Sequence, residues 1–243
     1  MFPYRDENVS LRTPIATFCL IAANVAIWLL IQGAGSPLPL ATSVCDLGLV
    51  AGELTGRLAP GTAFPMGDGL ACVVDPGRQP LHLLTHMFLH GSWMHLLGNM
   101  WFLWIFGNNV EDSMGPVKYF FFYILGGIAA LALQVAIHPD DTAPTLGASG
   151  AIAAVLGGYI LLYPRARVLT LIFIILFFTV VELPAILVLG FWFATQIAFG
   201  AAGLTSPGAS GGVAYFAHVG GFAFGVATVK LLATRRRRIP PPR

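Results

Sequence analysis

Residues 145–156 read TLGASGAIAAVL and set Ser149 between glycines, where a polar loop turns into an apolar helix. The apolar run from Ala148 to Tyr163 is about 24 Å long at 1.5 Å per residue, whereas a spanning helix must cross about 30 Å of hydrocarbon. We therefore expect this helix to begin below the membrane surface, where protein or a water-filled cavity surrounds the non-helical backbone. Small residues at this spacing are also typical of close packing between transmembrane helices. The stretch alone fits either a reactive serine or a packing motif.

The composition is that of a polytopic membrane protein. Of the 243 residues, 56% are hydrophobic and only 10% are charged, and the mean hydropathy is +0.78. So few polar groups cannot cover a soluble globule of this size. The composition therefore excludes a soluble enzyme.

Six apolar segments follow one another along the chain. They predict an all-α membrane protein, a six-transmembrane-helix bundle with a long outer loop, about residues 34–80, between the first and second helices. Residues 168–181 are expected at the interface or partly buried, because Pro184 favours the first turn of the next helix. The predicted spans are about residues 14–31, 81–106, 117–137, 148–163, 183–202 and 213–232.

The basic residues orient the predicted bundle. With residues 1–13 inside, only Arg57 and Arg78 among the basic residues fall outside, as the positive-inside rule requires. The membrane domain 14–232 then has both termini in the cytoplasm, and we expect a bacterial plasma (inner) membrane. The arginine run 235–238 in the tail 233–243 is typical of an anchor beside anionic lipid. We therefore expect the bilayer, and not nucleic acid, as its partner.

Polar side chains at membrane depth are the candidates for chemistry. Counting along three predicted helices that run in the same direction places Ser149, His218, His95 and Asn99 about 12–21 Å above the inner boundary. A serine hydroxyl needs a base to take its proton, and imidazole is the usual partner. Since neither a carboxylate nor a lysine lies in this layer, the pattern predicts a Ser-His dyad without an acid. His95 and Asn99, one helical turn apart, would donate hydrogen bonds to an oxyanion.

These residues resemble the rhomboid family of intramembrane serine proteases. The resemblance covers residues 82–230 and rests on four motifs in a specific order. The motifs are H-x4-H-x3-N at 90–99, GNNVED at 107–112, GASG at 147–150, and AHVGG at 217–221 with Gly225. It implies a six-helix fold with Ser149 as the nucleophile, His218 as its base, and His95 and Asn99 in the oxyanion hole.

The resemblance also implies a function and supporting residues. The function is that of a serine endopeptidase that cuts transmembrane segments of other membrane proteins near the outer face, with no metal or other cofactor. Gly221 and Gly225 would let the sixth helix approach the fourth. The residues expected to support the site structurally are His90, Glu111, Gly147, Gly150, Gly221 and Gly225.

The sequence departs from the family pattern at two places. The Trp-Arg pair that many members carry in the first outer loop is absent, and Leu81-His82 stands there instead. The loop therefore needs another anchor. An aromatic residue that some members place one turn after the serine is Ala153 here, so packing against His218 must come from elsewhere.

Other interpretations of the histidines stay open. His82, His86 and His90 recur every four residues, as metal ligands do, although no carboxylate or thiolate joins them. His82 and His86 are otherwise expected near the interface, and His90 as a hydrogen-bonded structural residue. Buried histidines also serve proton relays in transporters, although paired broken helices in two halves are missing. A rhomboid-like protein that binds membrane partners without cutting them is the third alternative.

The cysteines suggest a staple in the outer loop. Cys45 and Cys72 share the predicted outer face, where disulfides form, whereas Cys19 lies in the first span. A bridge would close a loop of about 28 residues, worth roughly 3–4 kcal/mol in the chain-entropy model. Two free thiols are the alternative, because the sequence does not show whether the Cα atoms lie close enough.

Overall fold

The computed structural model describes residues 2–67, 69–74, 80–174, 177–205 and 212–234. The predicted arginine run, the rest of the tail from residue 235, and parts of the predicted loops at 34–80 and 203–212 lie outside these ranges. In chain order the main elements are β1 (Phe2–Asp6), α1 (Ile15–Leu30), α2 (Pro37–Leu47), α3 (Ala51–Leu54), β2 (Ala63–Gly67), β3 (Leu70–Val73), α4 (His82–Thr85), α5 (Trp93–Met114), α6 (Pro116–Ile137), α7 (Ser149–Leu162), β4 (Arg167–Ile174), β5 (Phe177–Pro184), α8 (Ala185–Thr205) and α9 (Tyr215–Leu232).

The protein is mostly helical, and three of its described helices are long and apolar enough to cross a membrane. These are α6, α8 and α9. Helices α1 and α7 are also apolar but shorter, with 16 and 14 residues. The predicted limits of the first, third, fourth and sixth apolar segments agree with α1, α6, α7 and α9 to within two residues.

The predicted second span, residues 81–106, does not form one helix. Residues 82–88 form α4 and a short 3-10 turn, the chain is extended at Leu89, and α5 begins at Trp93. Ser92 is the N-cap of α5: its Oγ accepts a hydrogen bond from the backbone N–H of His95 at 3.1 Å, so the helix begins after it. Helix α5 then continues beyond the predicted end to Met114, since the polar residues 107–112 lie against other elements of the bundle.

The predicted all-α class is wrong for residues 168–174 and 177–181, which form strands. Strands β4 and β5 pair antiparallel from Arg167 opposite Pro184 to Ile174 opposite Phe177, and β1 from the N-terminal segment pairs with β4. This run is rich in β-branched and aromatic residues, which favour strands. A second hairpin, β2–β3, lies in the connection between α1 and α5.

Helix α7 lies in the centre of the bundle, and every residue from Gly150 to Tyr159 is buried. Its closest neighbour is α9. A Cβ at Gly221 would overlap the carbonyl oxygen of Gly150, and a Cβ at Gly225 would overlap that of Ala154. The two backbones therefore touch, as expected for these glycines, and this contact fixes the first turns of α7 and α9 relative to each other.

The N-terminal strand is attached to the end of the bundle at which α5 ends. Oδ2 of Asp6 accepts hydrogen bonds from Asn109 Nδ2 and from the Tyr159 hydroxyl, both at 2.7 Å. Trp101 Nε1 donates to the carbonyl oxygen of Pro3 at 2.8 Å. Burial of Asp6 raises the pKa of its carboxyl group to about 6. This strand is therefore part of the bundle and not a free terminal segment.

Glu111 lies at the same end, although the sequence analysis grouped it with the serine site. Its Oε1 accepts from the backbone N–H of Ala16 at 2.9 Å, and its Oε2 accepts from the backbone N–H and the hydroxyl of Thr17 at 2.8 and 2.7 Å. The carboxylate thus caps the N-terminus of α1, where the helix dipole favours negative charge. Along α5, Glu111 is about 24 Å from His95, so its role is in helix packing and not in the site.

The connection between α1 and α5 is anchored without a Trp-Arg pair. A disulfide joins Cys45 of α2 to Cys72 of β3, whose Cα atoms lie 5.5 Å apart, while Cys19 is free and exposed. Gln32 binds the backbone of His90 twice, since its Oε1 accepts from the N–H and its Nε2 donates to the carbonyl oxygen, both at 2.8 Å. These contacts tie the connection to the turn that precedes α5.

Candidate active site

Ser149 and His218 meet at the N-terminal ends of α7 and α9. Ser149 Oγ and His218 Nε2 lie 2.8 Å apart. The hydroxyl can donate to Nε2 only in the neutral tautomer whose proton lies on Nδ1. This arrangement lets the imidazole take the hydroxyl proton.

The other ring nitrogen of His218 contacts a residue that the sequence analysis missed. Nδ1 lies 2.7 Å from Oε1 of Gln196, on α8. Gln196 is 7% exposed. The signal for it in the sequence is one long polar side chain inside a largely apolar segment.

Two aromatic rings hold the imidazole of His218 in place. The Trp192 ring of α8 lies over it at a centroid distance of 5.8 Å with an angle of 34°. Tyr215 meets it edge-on at 6.3 Å. Ala153 on α7 cannot supply an aromatic contact to His218. The packing comes instead from Trp192 on α8 and Tyr215 on α9.

Gly147 brings His95 close to the serine. Its φ of +119° favours glycine, and its N–H donates to the carbonyl oxygen of His86 at 2.9 Å. A Cβ at Gly147 would lie 2.7 Å from His95 Nε2 and 3.7 Å from Ser149 Oγ. The Gly91 N–H donates to Nδ1 of His95, at 3.4 Å, which leaves the proton of a neutral His95 ring on Nε2. A hydrogen-bond donor therefore points toward the serine side of Gly147.

Asn99 lies one turn farther along α5 and has a free donor. The residue is 8% exposed, and its Nδ2 has no hydrogen-bond partner among the described residues. Leaving such a group unpaired costs about 1–3 kcal/mol, and a catalytic role is one explanation for it. The backbone N–H of Ser149, in the first turn of α7, likewise has no partner within its helix. These residues thus offer three candidate donors for an oxyanion.

The three histidines at positions 82, 86 and 90 are buried beside the turn that precedes α5. His90 is fully buried and meets His95 edge-on at 5.0 Å, yet its ring nitrogens have no hydrogen-bond partner within the described ranges, and its backbone is hydrogen-bonded instead. His82 and His86, expected near the interface, are buried. No three metal-ligating side chains converge in the part of the chain that the structure describes.

Comparison with known proteins gives one consistent family. Residues 77–235 match the model of the Rhomboid domain. The chain is 31% identical over 152 residues to Rhomboid protein 1, mitochondrial, of Saccharomyces cerevisiae, which covers 60% of this chain and 40% of that protein. It is 30% identical over 97 residues to the Presenilin-associated rhomboid-like protein, mitochondrial, of Homo sapiens, covering 39% of this chain and 25% of that protein.

A chloroplast relative extends this comparison. Rhomboid-like protein 11, chloroplastic, of Arabidopsis thaliana is 36% identical over 69 residues, which is 28% of this chain and 24% of that protein. The chain therefore spans less than half the length of each of these three relatives.

The comparisons contradict the predicted bacterial plasma membrane, because these relatives are named as mitochondrial or chloroplastic proteins. Hydropathy and charge indicate that a chain crosses a membrane and which face is basic, but they do not specify the organelle. The Rhomboid domain model covers well over half of the chain, over a range that contains Ser149, His218, His95 and Asn99. The chain belongs to the rhomboid family.

Proposed function

We propose that this protein is an intramembrane serine endopeptidase that cleaves transmembrane segments of other membrane proteins. The observation that carries the proposal is the 2.8 Å hydrogen bond between Ser149 Oγ and His218 Nε2. Membership of the rhomboid family supports it, as does the unpaired donor of the buried Asn99, one turn after His95 on α5.

The reaction begins with the transfer of the Ser149 hydroxyl proton to His218 Nε2. Oγ attacks the scissile carbonyl carbon, and the carbonyl oxygen becomes an oxyanion. The imidazolium then gives its proton to the leaving amine, and an acyl-enzyme forms. In the second half, His218 takes a proton from water, and the resulting hydroxide attacks the acyl carbon. The bond between this carbon and Oγ then breaks, the acid product leaves, and Oγ takes a proton back from His218.

Three groups would stabilise the oxyanion. They are the backbone N–H of Ser149, the Nδ2 donor of Asn99 and the Nε2–H of His95. Donors that point in advance to the place where charge develops lower the barrier without a reorganisation step. His95 and Asn99 lie in the first two turns of α5, and Ser149 begins α7.

Six spans, formed by α1 and α5 to α9, would account for this geometry. Because α7 has only 14 residues, a bilayer around the bundle would place Ser149 below one surface. A transmembrane substrate hides its carbonyl groups in helical hydrogen bonds, so it must unwind locally before attack. We therefore expect small or helix-breaking residues near the cleaved bond. The names of the relatives favour an organellar membrane, and the bilayer itself is the expected second partner.

The proposal is tested with detergent-purified protein and a transmembrane peptide that carries a different label at each end. Wild-type protein should release two fragments, and mass spectrometry should place the cut within or beside the apolar segment. Ser149→Ala should release none, and a chelator should not affect the wild-type rate. Peptide binding without cleavage by the wild type would indicate a non-catalytic binder, and cleavage by Ser149→Ala would overturn the proposal.

A further inference from the structure

We infer that Gln196 is the positioning residue of the base, a neutral third member that takes the place of the acid in a Ser-His-acid triad. Its amide oxygen would hold the proton of His218 on Nδ1 and so keep Nε2 free to accept the Ser149 proton. This inference rests on the proposed function and deepens it. Three contacts of Gln196 support it.

The orientation of the Gln196 amide is fixed by its other partners. Its Nε2 donates to the carbonyl oxygen of Trp192 at 3.2 Å and to Thr195 Oγ1 at 3.1 Å. The Trp192 carbonyl can only accept, and Thr195 Oγ1 already donates its own proton to that carbonyl at 2.6 Å. The Trp192 carbonyl oxygen and Thr195 Oγ1 therefore both need a hydrogen-bond donor on this side of the amide. The amide nitrogen must lie here, and the amide oxygen must point to His218.

The amide oxygen in turn fixes the tautomer of His218. It can only accept a hydrogen bond, so the ring nitrogen 2.7 Å away, Nδ1, must carry the proton. A neutral imidazole without such a partner can carry its proton on either nitrogen. The tautomer with the proton on Nε2 cannot act as a base toward Ser149.

One turn of α8 controls both the orientation and the protonation of the ring. The Trp192 ring lies over His218, and the Trp192 carbonyl holds the amide that binds Nδ1. An amide suits this place because an ionised carboxylate inside a membrane is costly. The amide accepts the hydrogen bond without a buried charge.

Two substitutions of similar size separate positioning from packing. Gln196→Met fills the space but has no acceptor for Nδ1–H. Gln196→Glu keeps an acceptor in either protonation state and serves as the matched control. General-base catalysis contributes roughly 10²–10⁴-fold, and the loss of tautomer control should remove roughly 10- to 100-fold of this in Gln196→Met. Gln196→Glu should retain most of the activity.

The first readout is the rate at which a fluorophosphonate probe labels Ser149, which requires no peptide substrate. The second is the split between kcat and KM for the transmembrane peptide. The inference expects slower labelling and a lower kcat for Gln196→Met, with KM unchanged. Labelling of Gln196→Met at the wild-type rate would overturn it and leave the proposed function intact. Equal loss of activity and of thermal stability in both variants would also overturn it, because that is the result of a packing role.

A third readout uses the wild-type protein alone, in case Gln196→Met does not fold. Nitrogen-15 NMR of the histidine rings, with the His218 signals assigned by comparison with His218→Ala, should show the proton on Nδ1. A proton on Nε2 of wild-type His218 would overturn the inference. Folded wild-type protein that neither reacts with the probe nor cleaves the peptide would overturn the proposed function and the inference with it.

Discussion

Gly221 of α9 lies directly against the carbonyl oxygen of Gly150 of α7, where a Cβ on Gly221 would overlap that oxygen. His218 is one turn before Gly221, and Ser149 directly precedes Gly150. The spacing of the two backbones therefore sets the distance between the serine and its base. A methyl group at position 221 would push α9 away from α7 and so move His218 away from Ser149.

Gly221→Ala tests this dependence. Overpacking of a close contact costs typically about 1–3 kcal/mol, and the shift of α9 should also lower kcat. Gly190→Ala on α8 is the matched control, because a Cβ there meets no atom of the described residues within 4 Å. Thermal unfolding and cleavage rates check both variants. Wild-type activity in Gly221→Ala would show that the helix contact does not position the dyad.

Asn99→Ala should lower kcat by roughly 10²–10³-fold, the usual cost of losing one oxyanion donor, with little change in KM. Its thermal stability should not fall, because Nδ2 has no partner among the described residues whose hydrogen bond would be lost. Steady-state kinetics and thermal unfolding measure the two effects. If KM instead of kcat carries the change, Asn99 binds substrate.

His95→Ala should lower kcat in the same way, since Nε2–H lies on the serine side of Gly147. Its stability should also fall, because the His95 ring packs on His90 and accepts from the Gly91 N–H. The comparison of both variants in cleavage and unfolding assays separates the donor from the packing role. Unchanged kcat in His95→Ala would remove this residue from the oxyanion hole.

Asp6 makes the attachment of β1 dependent on pH. Burial raises the pKa of its carboxyl group to about 6 from 3.8, so the folded state binds the proton more tightly than the unfolded chain. This contribution to stability is full below pH 4 and is lost as the pH rises to 6. Between pH 5 and pH 7, the wild type should therefore lose about 1 kcal/mol relative to Asp6→Asn. A difference between the two proteins that does not vary with pH would contradict this explanation.

The disulfide between Cys45 and Cys72 should stabilise the connection between α1 and α5. Reduction, or replacement of both cysteines by serine, should lower the free energy of unfolding by roughly 3–4 kcal/mol. Cys19→Ser is the control, because Cys19 is free. Thiol labelling before and after reduction checks the pairing: three labelled cysteines without reductant would exclude the bridge.

The catalytic candidates could be predicted because Ser149 and His218 are conspicuous at membrane depth, and counting residues along helices places them in one layer. The role of Gln196 could not be predicted in this way, because its amide does not ionise. The break in the chain before α5 could not be predicted from hydropathy, because hydropathy carries no information about the hydrogen bond by which Ser92 caps the helix. The apolar run at 168–184 fits a helix or a strand equally well on periodicity alone, and its pairing with β1 depends on residues more than 160 positions away along the chain.

The central claim is that Ser149 and His218 act as one unit, and a kinetic cycle of Ser149→Ala, His218→Ala and the double variant tests it most directly. All three proteins should insert, fold and unfold at temperatures close to that of the wild type. Cleavage of the labelled transmembrane peptide should be abolished equally in each, because either loss disables the pair. Additive losses in the cycle, or turnover in folded Ser149→Ala, would contradict the account.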